Sequence, residues 1–239
     1  MGTESISRVV IDVSLGRLTL MLIPLAVVGW VMWKWSGGLR ELGVATGRMV
    51  GQLLVVGYLL VFLFESENWI LHVGVVGFMV VVSAWIAIRT VKEGKVRAFG
   101  EALLAIGLGG GSVFLLVIFG VLQMWDFEAR YVIPLAGMSF ANAMTAVTLA
   151  AERLEAEVGN GQDFEEGRRA AWNASLIPQI NSFLAVGLVS LPGMMTGQIL
   201  AGASPLDAVR YQILVMAMVL GSAGISVAIY LWRRRVGAV

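Results

Sequence analysis

Hydrophobic positions in this chain come in long blocks rather than in the alternating or one-faced patterns of soluble strands and helices. Seven blocks can be drawn, at residues 18–33, 49–64, 69–88, 102–125, 132–151, 176–195 and 211–232. A helix needs about 20 apolar residues to cross about 30 Å of hydrocarbon, and the blocks reach or approach that length. The pattern predicts an all-α polytopic membrane protein with about seven transmembrane helices. The first block is short, holds Pro24, is flanked by Trp30, Trp33 and Trp35, and lacks a small-residue cleavage site. It reads as a retained helix with tryptophans at headgroup level, not as a signal peptide.

Between the blocks, "GLRELGVATGR", Gly38 to Arg48, mixes Leu39, Leu42 and Val44 with Arg40, Glu41 and Arg48. That spacing predicts a short amphipathic helix in the membrane interface ahead of the second span, with a polar loop as the alternative. The longest hydrophilic stretch, "AERLEAEVGNGQDFEEGRRAAWNAS", runs from Ala151 to Ser175. Gly159, Asn160 and Gly161 predict a break there, with helix-compatible sequence on both sides. The stretch "SLPGMMTGQILAGASP", Ser190 to Pro205, is unusual for the end of a span, because it carries two prolines and three glycines beside a threonine and a glutamine.

Composition agrees with the blocks: of 239 residues, 58% are hydrophobic and 14% charged, and the mean hydropathy is +0.84. Little chain is left over for a separate soluble domain, so a single transmembrane domain over residues 1–239 is expected. Charge then orients it. Lys34, Arg40, Arg48, Arg89, Lys92, Lys95, Arg97, Arg153, Arg168, Arg169, Arg233, Arg234 and Arg235 fall in alternate connections, 13 of the 17 basic residues. The opposite connections carry Glu65, Glu67, Asp126, Glu128 and Asp207 with only Arg130 and Arg210, while Arg8 and Arg17 lie in the N-terminal segment. Because basic loops resist translocation, the N-terminus is expected outside and the C-terminus in the cytoplasm.

Chemistry is sparse. There is no cysteine, and His72 is the only histidine, so a metal ion would have to meet carboxylates, amides, carbonyls or thioethers. No carboxylate, lysine or histidine falls near a span centre, where a proton- or sodium-driven carrier would need one. No GxxxxGK[ST] occurs, and "GNGQDFEEG" lacks the lysine that would reach a phosphate, so no nucleotide hydrolysis is expected of this chain, which is not read as an enzyme. No cofactor and no nucleic acid are expected on it.

What the spans do contain is neutral polarity: Gln52, Ser83, Ser112, Gln123, Asn142, Thr145, Thr148, Gln179, Asn181, Thr196 and Gln198. Such groups commonly tie helices together, at about 0.6 kcal/mol each. Asn142, Asn181 and Gln198 fall on glycine- and proline-interrupted spans, where freed carbonyls could join them along a polar path. Met194 and Met195, like Met138 and Met144, suit a soft metal ion or simply fill apolar gaps. Glycines four apart, at 43, 47 and 51, at 107 and 111, and at 193 and 197, suit close helix packing.

The stretch from Gly187 to Ile213, "GLVSLPGMMTGQILAGASPLDAVRYQI", together with "YVIPLAGMSFANAMTAV", "SLIPQINS" and "GQLLVVGYLLVFLF", resembles the FetB/YbbM family of ABC-exporter permeases, which includes plant aluminium-tolerance permeases. The likeness runs from about Leu39 onward and is carried most specifically by "LPGMMTGQILAG". It implies a multi-pass permease subunit of the plasma (inner) membrane, surrounded by lipid, that forms a homodimer and exports a metal ion, iron in bacterial members. It also implies a cytoplasmic ABC ATPase as partner, with ATP bound on that subunit. On this likeness Asn142, Asn181, Met194, Met195 and Gln198 line the transport path. Pro192, Gly193 and Gly197 bend and pack the helix beside it. The ATPase couples through residues 152–175, with Glu165, Glu166, Arg168 and Arg169 as the contact. One departure is that only "FEEGRRAAWNAS" precedes Leu176, shorter than the family's segment and without its Leu-Gly-Ala turn. That leaves a membrane scaffold or accessory subunit uncoupled from ATP, or an ion channel, as alternatives.

Overall fold

The computed structural model describes residues 14–35, 37–66, 68–91 and 94–236. Arg8, Glu67 and Lys92, used in the charge argument, lie outside the described residues, as does the side chain of Arg235. Two compact units divide at residue 66.

The first unit holds α1 (Gly16–Trp35) and α2 (Leu39–Glu65). The turn between them passes through Gly37 at φ +69, a backbone that favours glycine. Gly29 lies where a β-carbon would come within 3.2 Å of the Leu39 side chain. The interfacial helix expected at Gly38 to Arg48 does not exist as a separate element. Leu39–Glu65 is one helix of 27 residues, about 40 Å long, because neither proline nor a left-handed glycine interrupts it. Gly43, Gly47 and Gly51 lie within it, and a β-carbon on any of them would meet nothing within 4 Å. Apolar side chains such as Leu53, Val55 and Phe62 are exposed all along the helix, as suits a surface solvated by lipid.

The second unit begins with α3 (Trp69–Ala87), whose first turn is capped by Asn68, its side chain accepting from the Ile70 amide at 3.0 Å. Then come α4 (Lys95–Val121), α5 (Ala129–Gly159), α6 (Phe164–Ala185), α7 (Gly193–Leu200) and α8 (Pro205–Val236). Helices α4, α5 and α8 share the core. Ala102, Ala105, Ala136, Ala143, Ala146 and Ala223 are fully buried there, small side chains that let backbones approach without a hydrophobic driving force. Phe114 and Phe140 fill the space between α4 and α5 with ring centroids 5.9 Å apart. Helix α4 is not a regular α-helix. It contains π-helical turns at Ile106–Gly110 and Leu116–Val121.

Six of the helices are long and apolar enough to cross a membrane, and among the described residues there is no strand, only an isolated bridge between Val186 and Ser190. The architecture is the expected all-α polytopic one. The sixth predicted span, residues 176–195, is not one helix, however. Helix α6 ends at Ala185, Val186 turns extended, Gly187 takes φ +81, and the amides of Leu188, Val189 and Ser190 all converge on the Ala185 carbonyl. The chain restarts only at Gly193, after Pro192. The predicted bend at Pro192 is therefore a complete interruption.

Candidate transport path and coupling face

The broken span places Met194, Met195 and Gln198 on the short α7, while Asn142 and Asn181 lie on the longer α5 and α6. Pro192 is the N-cap of α7 with extended backbone, and its carbonyl accepts both the Thr196 amide at 3.0 Å and the Thr196 hydroxyl at 3.2 Å. Met194 and Gln198, four residues apart, share one side of α7. Met195 and Gln198 are three apart, and all three side chains are half-buried. Met194 also packs against the hydrophobic core, the ordinary work of a methionine. A β-carbon at Gly193 or Gly197 would meet nothing within 4 Å, so within this chain neither glycine serves a close contact.

On α6, Pro178 removes an amide from the helix ladder, leaving the Ala174 carbonyl without its usual donor. The next residue, Gln179, is 3% exposed, and its Oε1 has no partner. Asn181 lies on the exposed side of the same helix. Gln212 on α8 is likewise buried with Oε1 unpartnered. On α5 the Asn142 amide donates to the Met138 carbonyl at 2.8 Å, and Thr145 and Thr148 donate to carbonyls four residues back. These three groups are tied to their own helix, not to a neighbour. Among the described residues no three of His, Asp and Glu gather into a group able to hold a metal ion.

A buried hydroxyl contact that joins helices was not among the candidates. Ser139 of α5 donates to the Gly110 carbonyl at 3.0 Å and lies 2.7 Å from the Ser222 hydroxyl of α8, all of it buried. The site sits at the first π-turn of α4, where the ladder is irregular and its carbonyls are open to other donors. Beside it, a β-carbon on Gly109 would fall 2.6 Å from the Ser226 backbone nitrogen. Sequence offered a signal in "GLGGG" and in the small residues around Ser139 and Ser222, but spacing alone pointed to Gly107 and Gly111 instead.

The candidate coupling residues lie at the end of the unit where α5 stops and α6 starts. The break predicted at Gly159–Gly161 is there, with Gly161 at φ +88. Asp163 caps α6, its carboxylate accepting from the Glu166 amide at 2.8 Å. Glu165 pairs with Arg168 on the same turn. Glu165, Arg168 and Arg169 meet Trp172, Leu231 and Trp232 around a cavity of about 390 Å³ between the start of α6 and the end of α8. At this same end Glu101 of α4, its side chain 5% exposed, accepts from Arg97 at 2.9 Å and from Arg234 of α8 at 3.5 Å. Arg234 reaches Glu155 of α5 as well, at 3.5 Å, so one guanidinium joins three helices.

Comparison with known proteins covers nearly all of this architecture. Residues 15–236 match the family described as Uncharacterised protein family (UPF0014). The "Probable iron export permease protein FetB" of Escherichia coli is 34% identical over 91% of this chain and 89% of its own length. "Protein ALUMINUM SENSITIVE 3" of Arabidopsis thaliana is 38% identical over 78% of this chain and 72% of its own. The "UPF0014 membrane protein slr1647" of Synechocystis is 34% identical over 82% of each. No solved structure matches. With its membrane-length helices and a family match from the first of them to the end of α8, the chain is a multi-pass membrane protein of the UPF0014 family.

Proposed function

We propose that the chain is the membrane permease subunit of an ABC exporter in the plasma (inner) membrane, moving metal ions, iron foremost, outward at the expense of ATP hydrolysed on a separate cytoplasmic ATPase. The observation that carries this reading is the likeness to the E. coli relative named as a probable iron export permease, over 91% of the chain. The active form is a homodimer, oriented with the N-terminus outside and the C-terminus inside. The path runs beside the broken span, through Asn142, Asn181, Met194, Met195 and Gln198. Irregular backbone at membrane depth is tolerated where it is covered by protein or lines a polar cavity, which supports this placement. The ATPase docks on the face of Glu165, Glu166, Arg168 and Arg169, beside Trp172 and Trp232, which line the same cavity.

The test is iron uptake into inverted membrane vesicles, with and without ATP and with and without an ABC ATPase from the same genome. Uptake is expected only when both are present, and Gln198→Leu is expected to assemble normally yet transport at under a tenth of the parent rate. Uphill flux driven by a proton gradient alone would sink the exporter reading. Orientation has its own check: a cysteine placed at Asn68 is expected to react with an impermeant maleimide in intact cells, and one placed at Asn160 only after permeabilisation.

A further inference from the structure

A second cavity lies in the second unit, at the end opposite the coupling face, between α3, α4, α5 and the loop that joins α4 to α5. Its volume is about 690 Å³, within the range of small-molecule sites. Its walls combine six aromatic side chains with the aliphatic Val73, Val76, Val80 and Leu115. Trp69, Phe119, Trp125 and Phe127 surround the outer part, and the buried Phe114 and Phe140 close the inner part. Phe119 sets the wall, with its ring centroid 5.4 Å from Trp125 and 6.3 Å from Phe127. Asp126 is the one charged side chain lining it among the described residues. Gly111 lines it too, and a β-carbon there would enter open space.

Two backbone features point the same way. The loop holds Gln123 at φ +52 and Phe127 at φ +51, left-handed conformations that non-glycine residues seldom adopt and that persist only where the surroundings impose them. The wall from α4 carries both π-helical turns, a distortion found mostly at functional sites. The strain places Asp126 and the ring of Phe127 at one cavity.

The chemistry of the lining selects its ligand. Aromatic faces are electron-rich and attract a weakly hydrated cation, and a single carboxylate balances a single positive charge. A metal ion would find one carboxylate and no further hard ligand in walls of this kind. An anion would meet Asp126 and ring faces, and a phospholipid would bring a phosphate to a lining with no basic side chain. We propose that this cavity binds an amphiphilic organic monocation, an alkyl- or aryl-substituted ammonium or phosphonium, with its charge held between Asp126 and the surrounding rings. The site is separate from the metal path and does not rest on the exporter reading.

The probe is tetraphenylphosphonium, its binding to the purified full chain in dodecyl maltoside followed by equilibrium dialysis. Saturable binding of one cation per chain is expected. Asp126→Asn and Trp125→Leu, both changes to exposed loop residues, are each expected to weaken it at least tenfold, and Gly111→Leu to abolish it by filling the cavity. Asp207→Asn, in the first turn of α8, is expected to bind as the parent does. Parental elution on gel filtration certifies the fold of each variant. Unsaturable binding, or binding unchanged in Asp126→Asn and Trp125→Leu, would overturn the proposal. Loss of the saturable component on adding dioleoylphosphatidylcholine would overturn it too, in favour of a phospholipid site.

Discussion

Gly109→Val is expected to yield no monodisperse protein, whereas Gly111→Ala, two residues along the same helix, is expected to purify and melt like the parent. The difference lies in what each new β-carbon meets. At Gly109 it would fall 2.6 Å from the Ser226 nitrogen and 2.7 Å from its α-carbon, backbone atoms that cannot rotate away. At Gly111 it would meet nothing within 4 Å. Overpacking a tight site costs about 1–3 kcal/mol and sometimes more, and separating α4 from α8 also pulls on the buried Ser139, Ser222 and Gly110 contacts. Replacing glycine in a helix returns at most about 1 kcal/mol of propensity, so the clash wins. Fluorescence-detected gel filtration of the two variants reads the outcome directly. A monodisperse Gly109→Val with the parent melting temperature would mean that the α4–α8 crossing relaxes easily.

Glu101→Ala is expected to cost about 2 kcal/mol of stability, against no more than about 1 kcal/mol for Asp207→Asn. Both residues form ion pairs with arginine, but Asp207 and Arg210 have side chains 68% and 81% exposed. Water solvates either one when the other is removed. The Glu101 side chain is 5% exposed and that of Arg234 21%, so loss of the carboxylate leaves Arg234 largely desolvated with Glu155 as its remaining carboxylate. Arg97, more than half exposed, is already largely solvated. A double-mutant cycle with Arg234→Met, measured by unfolding in mixed micelles, is expected to give a coupling between about 0.5 and 3 kcal/mol. Equal losses for Glu101→Ala and Asp207→Asn would show the buried network to be no stronger than a surface pair.

Much of this architecture is readable in hydropathy because a lipid-facing helix must be apolar nearly all round, and that requirement survives averaging over a window. The helical hairpin at Gly159–Gly161 is readable for a different reason, since glycine beside asparagine leaves the chain free to turn. The interruption after Ala185 escapes the same reading. Val186, Leu188, Val189 and Leu191 keep the window apolar, while the deciding features are one positive φ at Gly187 and one missing donor at Pro192. Glycine spacing fails likewise, because it fixes which residues share a helix face but not whether another helix lies opposite. Gly43, Gly47 and Gly51 keep the right spacing, yet a β-carbon on any of them would meet nothing within 4 Å, whereas Gly109 and Gly110, adjacent in sequence, carry the tight crossing. Polarity is legible as composition and not as partnership. Asn142 bonds its own helix, and a buried interhelical bond belongs to Ser139, a residue too small to stand out.

The interruption between α6 and α7 also bears on how the protein is made. A segment enters the bilayer from the translocon when its summed transfer energy is favourable over about 20 residues. Helix α6 begins with the charged run Glu165, Glu166, Arg168 and Arg169, and α7 is only eight residues long. Neither carries a signal of that strength alone, unlike α5 before them and α8 after them. Insertion of this part of the chain therefore waits on the synthesis of α8. Until that helix leaves the ribosome, the half-built protein holds α6 and α7 at the membrane surface.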